Sequence, residues 1–292
     1  MKKLKKRVKL FFKNFKAALF KPEMLVLPGQ LAFFFVLSIV PTITLIGYGA
    51  GILNLSTDVI YNFISEAFSK NVASVLIVNP THGLGIKYII TILIGYYFAS
   101  NGAASLIVTS NTIYGVENTP FLKRRIKAFV MTLIIILLFI FMITVPVLGR
   151  KITEMIAYVN MNQSVTDKIL AVFNFIRGPI TWFIMFIFIK MIYTMAPDKR
   201  IESRYTNKGA IFTTFGWVLA TYVYSYYISH YAKYDIFYGG LANIIVLMLW
   251  FLLLAYILTI GIAMNHKVEE EELEKTSKIN IINEEEQVKK KK

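Results

Sequence analysis

An all-α protein that crosses a bilayer as a bundle of about six helices is the fold class this sequence predicts, and three observations predict it. Hydrophobic residues make up 56% of the 292 residues and the mean hydropathy is +0.58, more apolar than one water-facing domain can hide. Six largely uncharged apolar stretches each approach or exceed the ~20 residues a helix needs to span about 30 Å of hydrocarbon. The 32 Lys and Arg residues fall mostly between those stretches, so the formal charge of +15 reads as a topology signal and not as a nucleic-acid surface.

The first element, residues 1–27, is a basic segment. Leu4, Val8, Phe11, Phe12, Phe15 and Leu19 recur at helical spacing among nine basic residues, which predicts an amphipathic helix resting on anionic lipid at the cytoplasmic face. The apolar stretch that follows is too long for a cleaved signal peptide.

Residues 28–265 hold the predicted six-helix transmembrane domain. Its spans run approximately over Pro28–Gly51, Tyr88–Asn111, Ala128–Gly149, Gly178–Ala196, Gly209–Ser229 and Phe237–Asn265. The apolar runs are continuous, whereas the strands of a membrane barrel alternate, so helices are implied. After the first span, Ser56 or Thr57 can cap an interfacial amphipathic helix whose apolar face is Val59, Ile60, Phe63, Ile64, Ala67 and Phe68 and which ends at Asn79-Pro80. The connection Arg150–Arg177, with Ile152, Met155, Ile156 and Val159 on one face, reads as a partly ordered cap. Residues 266–292 mix Glu269–Glu272, Glu284–Glu286 and Lys289–Lys292 and read as a charged cytoplasmic tail without order.

Orientation follows from the basic residues. The two ends and the connections after spans two and four carry 25 of them, and the remaining connections carry seven. Retention of Lys and Arg on the cytoplasmic side then places both termini in the cytoplasm.

Catalysis finds no foothold in the sequence. Cysteine is absent, so no disulfide framework or thiolate metal site can form. His82, His230 and His266 lie in different segments, and no zinc-binding helix motif or phosphate-cradling glycine loop is present. The expectation is a protein that is not an enzyme, with no catalytic residue, no cofactor and no metal.

The polar residues inside the spans are therefore the candidates for function. Ionisable groups are nearly absent there; Arg177 and Lys190 fall near the ends of the fourth span, where long side chains snorkel. In the second span Asn101, Ser105, Thr109 and Thr112 follow one another along one stripe, with Asn111 beside its end. The first span carries Gln30, Ser38 and Pro41, and proline there predicts a kink that frees the carbonyl of Leu37. Tyr238, Gly239 and Gly240 precede Asn243 at the start of the sixth span, where paired glycines allow close helix contact. These residues line a polar pathway or hold helices together.

Several motifs, in order, carry a resemblance. Ala32-Phe33-Phe34 with Leu37-Ser38-Ile39-Val40-Pro41, Ala99-Ser100-Asn101-Gly102 leading to Asn111-Thr112-Ile113-Tyr114-Gly115-Val116, and Phe121-Leu122-Lys123-Arg124-Arg125 come first. Tyr193 to Pro197-Asp198, Gly209-Ala210, Trp217, Tyr238-Gly239-Gly240-Leu241 and Leu249-Trp250 follow. Over residues 10 to 268 the chain resembles the YihY/BrkB family of bacterial inner-membrane proteins, once labelled ribonuclease BN. The resemblance implies a multi-pass inner-membrane protein with suggested links to envelope-lipid transport and serum resistance. The sixth span of that family usually closes with Gly, a small residue, Glu, an aliphatic residue and Asn, whereas Gly261-Ile262-Ala263-Met264-Asn265 puts alanine at the acid's place.

Two functions follow as expectations. One is a transporter or flippase of an amphipathic, lipid-like molecule; the alternative is a non-transporting membrane scaffold for envelope integrity. The lack of an acid within the spans argues against proton coupling. Neither reading uses a nucleic-acid partner, and the ribonuclease label finds no support in these residues.

Overall fold

A computed structural model describes residues 22–52, 86–158, 163–231 and 241–290, with Lys16 and Tyr61 as single residues. Within them a 3-10 turn, Pro22–Leu25, leads into six α-helices: α1 (Leu27–Ile52), α2 (Ile86–Tyr114), α3 (Phe121–Tyr158), α4 (Gln163–Met195), α5 (Asn207–Tyr231) and α6 (Leu241–Lys290). The described residues contain no strand, as the continuous apolar runs predict. Four stretches are long and apolar enough to cross a membrane: Leu27–Ile46, Ile92–Tyr114, Gly178–Met195 and Ile245–Ile281. α3 and α5, the other two expected spans, are long enough; α5 interleaves Thr, Ser and Tyr, and the apolar run of α3 continues past the residues whose side chains are described. The molecule is a multi-pass all-α membrane protein.

The helices pack in chain order, α1 on α2 through to α5 on α6, and the ring closes where α6 meets α1. Among the described residues its interior is packed with apolar side chains. Leu31, Leu106, Ile107, Met131, Ile189, Leu258 and Ile262 are fully buried, one or more from every helix except α5. Leu93 of α2, Phe183 of α4, and Phe215, Leu219 and Tyr222 of α5 stay exposed on the outside, where lipid tails are their solvent.

Two sequence expectations change in the structure. The tail does not lack order: α6 continues without a break from the membrane stretch to Lys290. A helix that leaves the membrane already formed needs no new nucleus. Its charges then fall into supporting pairs, His266 with Glu270, Lys267 with Glu270, and Lys275 with Glu272. The cap expected over Arg150–Arg177 is mostly helix, because α3 runs on to Tyr158 and α4 begins at Gln163; Val159 lies outside the described residues. Pro41 lies inside α1, which runs from Leu27 to Ile52. Most of the basic segment 1–27 and the expected interfacial helix after the first span lie outside the described residues.

Small residues set how closely α4, α5 and α6 approach. Gly209 of α5 lies against the Gly261 carbonyl and the Asn265 amide of α6, and its N–H donates to Asn265 Oδ1 at 2.7 Å. Gly261 in turn lies under the hydroxyls of Tyr193 and Thr213. Tyr193, 2% exposed, donates to the Leu258 carbonyl at 2.9 Å and shares a hydrogen bond with Thr213 at 2.5 Å. In a membrane, where apolar side chains gain little by leaving lipid, such close approach and hydrogen bonding carry helix association.

A methyl group at Gly261 would overlap both hydroxyls, so Gly261→Ala should cost about 1–3 kcal/mol or more and lower the melting temperature in detergent. Gly178→Ala, inside α4 and with nothing within 4 Å of the added carbon, should hold or slightly raise it, because alanine is the better helix former.

Candidate functional site

The polar groups converge where α2 ends, α3 begins and α4 ends. α2 stops in a Schellman cap: Gly115 takes φ +62°, its N–H donates to the Thr112 carbonyl at 3.3 Å, and Val116 N–H donates to the Asn111 carbonyl at 2.9 Å. Glycine is needed because that left-handed conformation disfavours any Cβ. The cap turns the chain through residues 116–120 and into α3 at Phe121, bringing Thr119 and Lys127 beside the end of α4.

Asp198 joins these pieces. Its Oδ2 accepts from Asn111 Nδ2 at 2.7 Å and from both the N–H and the hydroxyl of Thr119 at 3.0 Å. Its Oδ1 accepts from Lys127 Nζ at 2.6 Å, and its own N–H donates to Asn111 Oδ1 at 2.7 Å. Lys127 uses its other two protons on the carbonyls of Ala196 and Pro197, at 2.8 and 2.7 Å. Those carbonyls lie just past the last turn of α4, where helix ends leave acceptors unmet and favour a cation. The Asp198 side chain is 3% exposed. Burial pushes its carboxyl up, but bonds from Lys127, Thr119 and Asn111 outweigh this and hold it at about 2.

The expected polar stripe divides. Asn101 is half-buried and accepts from Arg125 Nη1 at 2.9 Å, while Arg125 also donates to the Tyr97 carbonyl at 2.7 Å and lies 3.7 Å over the Tyr97 ring. Ser38 accepts from the Gly102 N–H at 3.0 Å, joining α1 to α2. Asn111 belongs to the Asp198 cluster, and Thr112, which is exposed, bonds back to Val108 in its own helix. Ser105 and Thr109, with neighbouring Ser110, are buried with no hydrogen-bond partner for their hydroxyls. Gln30 and Pro41 are partly buried in α1. Tyr238 and Gly239 lie outside the described residues, as does the side chain of Asn243.

Sequence reasoning treated Asp198, Lys127 and Arg125 as motif or topology residues and did not unite them. The signal available was an acid directly after Pro197 at a span end, in a turn rich in basic residues. No group of three or more His, Asp or Glu that could hold a metal occurs among the described residues.

Because the folded Asp198 carboxyl titrates below its ordinary value, its stabilising contribution is complete above about pH 4 and is lost as pH falls toward 2. Asp198→Ala, which strands Lys127 among carbonyls, should cost about 3–5 kcal/mol in detergent unfolding at pH 7. Asp198→Ala combined with Lys127→Met should cost less than the two single changes added together.

Comparison with known proteins places this arrangement in a family. Residues 21–280 match the family described as Virulence factor BrkB. The chain is 30% identical over 239 residues to a protein of Bacillus subtilis described as ribonuclease-like, YfkH, covering 80% of this chain and 86% of that one. A UPF0761 membrane protein of Idiomarina loihiensis is 29% identical over 103 residues, 34% of this chain and 36% of its own. One from Haemophilus influenzae is 24% identical over 101 residues, 35% and 36% of the two chains. No solved structure matches. With its ring of apolar helices and a match over most of its length, the chain belongs to the BrkB family of membrane proteins.

Proposed function

We propose that this protein is a transporter or flippase that moves an amphipathic, lipid-like molecule. The observation that carries the reading is the set of three buried hydroxyls, Ser105, Thr109 and Ser110, without a partner in a span-length stretch of α2. A buried hydroxyl left unmatched costs about 1–3 kcal/mol, and such groups invite a role in meeting water or a ligand. Along the helix, Ser105 and Thr109 share a stripe with Gly102, which lies against Phe35 and Ser38 of α1. The α1–α2 seam is the proposed route. On this reading the protein lies in a bacterial inner membrane with both termini cytoplasmic, its 25-to-7 bias of basic residues facing anionic lipid. It acts without a catalytic residue, and the ribonuclease-like description of its Bacillus relative is not carried over.

A second reading, a scaffold, draws on a different observation. Asn101, Ser38 and Asn111 are all engaged between helices or turns, as packing alone would require.

Single cysteines in this Cys-free chain separate the two. Ser105→Cys and Thr109→Cys should react with a small membrane-impermeant thiol reagent in vesicles, while Ile189→Cys, from a fully buried site, should not. Protection of all three supports the scaffold and removes the pathway. RNA cleavage that co-purifies with the protein and disappears in a variant of it would overturn the non-enzymatic reading.

A further inference from the structure

Lys127 and Arg125 both point from α3 into the bundle, and they are met differently. Lys127 has the Asp198 carboxylate at 2.6 Å. Arg125, 8% exposed, has only neutral acceptors, Asn101 Oδ1 at 2.9 Å and the Tyr97 carbonyl at 2.7 Å, and its buried Nε has no partner. Among the described residues no Asp or Glu lies within 4 Å of its nitrogens. A guanidinium keeps its charge at any ordinary pH, so this is a buried cation without a counter-ion, a costly arrangement. It also lies deep. Asn101, which it holds, precedes the end of the span-length stretch at Tyr114 by about 20 Å of helix. A buried cation at such a depth is by default the mark of a substrate or ion path.

Arg125 stands at the head of the unpartnered hydroxyls. At the α-helical twist, Thr109, Ser105 and Asn101 lie about 20°, 60° and 100° around α2 from Gly102, the residue that lies against Phe35 and Ser38 of α1. The stripe therefore winds from the α1 seam, past two hydroxyls without partners, to the amide that Arg125 holds. On its other side the guanidinium is covered by the Tyr97 ring at 3.7 Å, and Tyr97 is itself 46% exposed on the outside of the bundle. The cation thus sits between the lipid-facing surface and the polar stripe.

We propose that Arg125 recognises the anionic phosphate head of the amphipathic molecule, one whose charge is not offset by an ammonium of its own, and that Asn101 holds the anion's place until it arrives. A phosphate supplies the missing opposite charge and an acceptor for the idle Nε, and its oxygens bind a guanidinium more strongly than the neutral amide of Asn101 does. The Tyr97 ring is the part to be displaced on entry, and it moves into lipid at little cost because it already faces lipid. The inference rests on the transporter reading for the fate of the bound molecule, whereas binding itself requires no transport.

The test titrates the full chain in a neutral maltoside detergent with short-chain phosphatidylglycerol or phosphatidylcholine. Native mass spectrometry reads the affinity of the first bound lipid, and thermal unfolding reads the stabilisation it brings. The unaltered protein should prefer phosphatidylglycerol. Arg125→Gln should weaken phosphatidylglycerol binding about tenfold, as for one charge-assisted contact, and leave phosphatidylcholine unchanged. Lys123→Gln, which removes an equal charge from an exposed site, should change neither. Asn101→Asp places the missing counter-charge beside Arg125, so it should lose the preference while raising the melting temperature without lipid. That variant decides the matter even if Arg125→Gln fails to fold. Preference retained in Asn101→Asp, or an equal loss in Lys123→Gln, overturns the proposal and leaves Arg125 as a structural clamp. Inorganic phosphate that displaces phosphatidylglycerol at fixed ionic strength overturns the lipid source in favour of free phosphate. Binding that depends on Arg125, with no movement of fluorescent phosphatidylglycerol across reconstituted vesicles, upholds the site and removes the transporter reading.

Discussion

One carboxylate organises the end of the bundle at which four chain segments meet. Asp198 receives the amide of Asn111, the backbone and hydroxyl of Thr119 and the ammonium of Lys127, thereby fixing α2, the α2–α3 turn and α3 against the end of α4. The need for such a centre is physical. A helix leaving hydrocarbon still carries unmet carbonyls, and water reaches them poorly where neighbouring helices crowd in. Lys127 meets two of them and would itself be an uncompensated charge without Asp198. Each group in the cluster is thus a condition for burying the next.

The other side of the ring is held by absence of bulk. Gly209 and Gly261 let α5 approach the backbone of α6 and let the Tyr193 hydroxyl of α4 reach across. Asn265, fully buried, uses its oxygen on the Gly209 N–H and leaves its Nδ2 without a partner. Ala263 is 1% exposed in the same packed turn of α6. Within the family this is the place where the resemblance implies an acid, and here it is filled as core. Leu258, Ile262 and Met264 around it are fully buried.

The helices were legible because the bilayer imposes a length and a composition that one-dimensional sequence shows directly. The contacts were harder to read, for reasons that differ by residue. Asn101 and Asn111 stood out as polar groups within a span, but their partners, Arg125 and Asp198, are 24 and 87 residues away, and no local spacing announces such a pair. Lys127 counted toward topology because position along the chain says nothing of whether an ammonium is solvated or caps a helix. The charged end was read as lacking order because its composition matches solvated tails; what composition does not convey is that α6 arrives already wound and that Lys199 holds Glu269 on its flank. Ser105 and Thr109 were found by periodicity, yet only the fold distinguishes them, unpartnered, from Ser38, which binds Gly102.

These ties also decide which part of the ring is freest to move. The Asp198 cluster makes α2, α3 and α4 one unit, and the Tyr193, Gly209 and Asn265 contacts make α4, α5 and α6 another, with α4 common to both. α1 stands outside both sets. Ser38 joins it to α2, accepting from the Gly102 N–H and donating to the Phe98 carbonyl, and apolar side chains such as Leu31 and Phe35 pack beside this contact. Apolar contacts between helices exchange for lipid contacts with little change in free energy, whereas buried ion pairs and backbone-directed hydrogen bonds do not. The bonds of Ser38 to α2 are neutral, whereas separating α3 from α4 breaks the Lys127–Asp198 ion pair. Proline at position 41 removes one backbone hydrogen bond from α1 itself, lowering its resistance to bending. For the proposed carrier this places motion at the seam where Ser105 and Thr109 await partners, and for a scaffold it marks the helix most open to exchange with lipid.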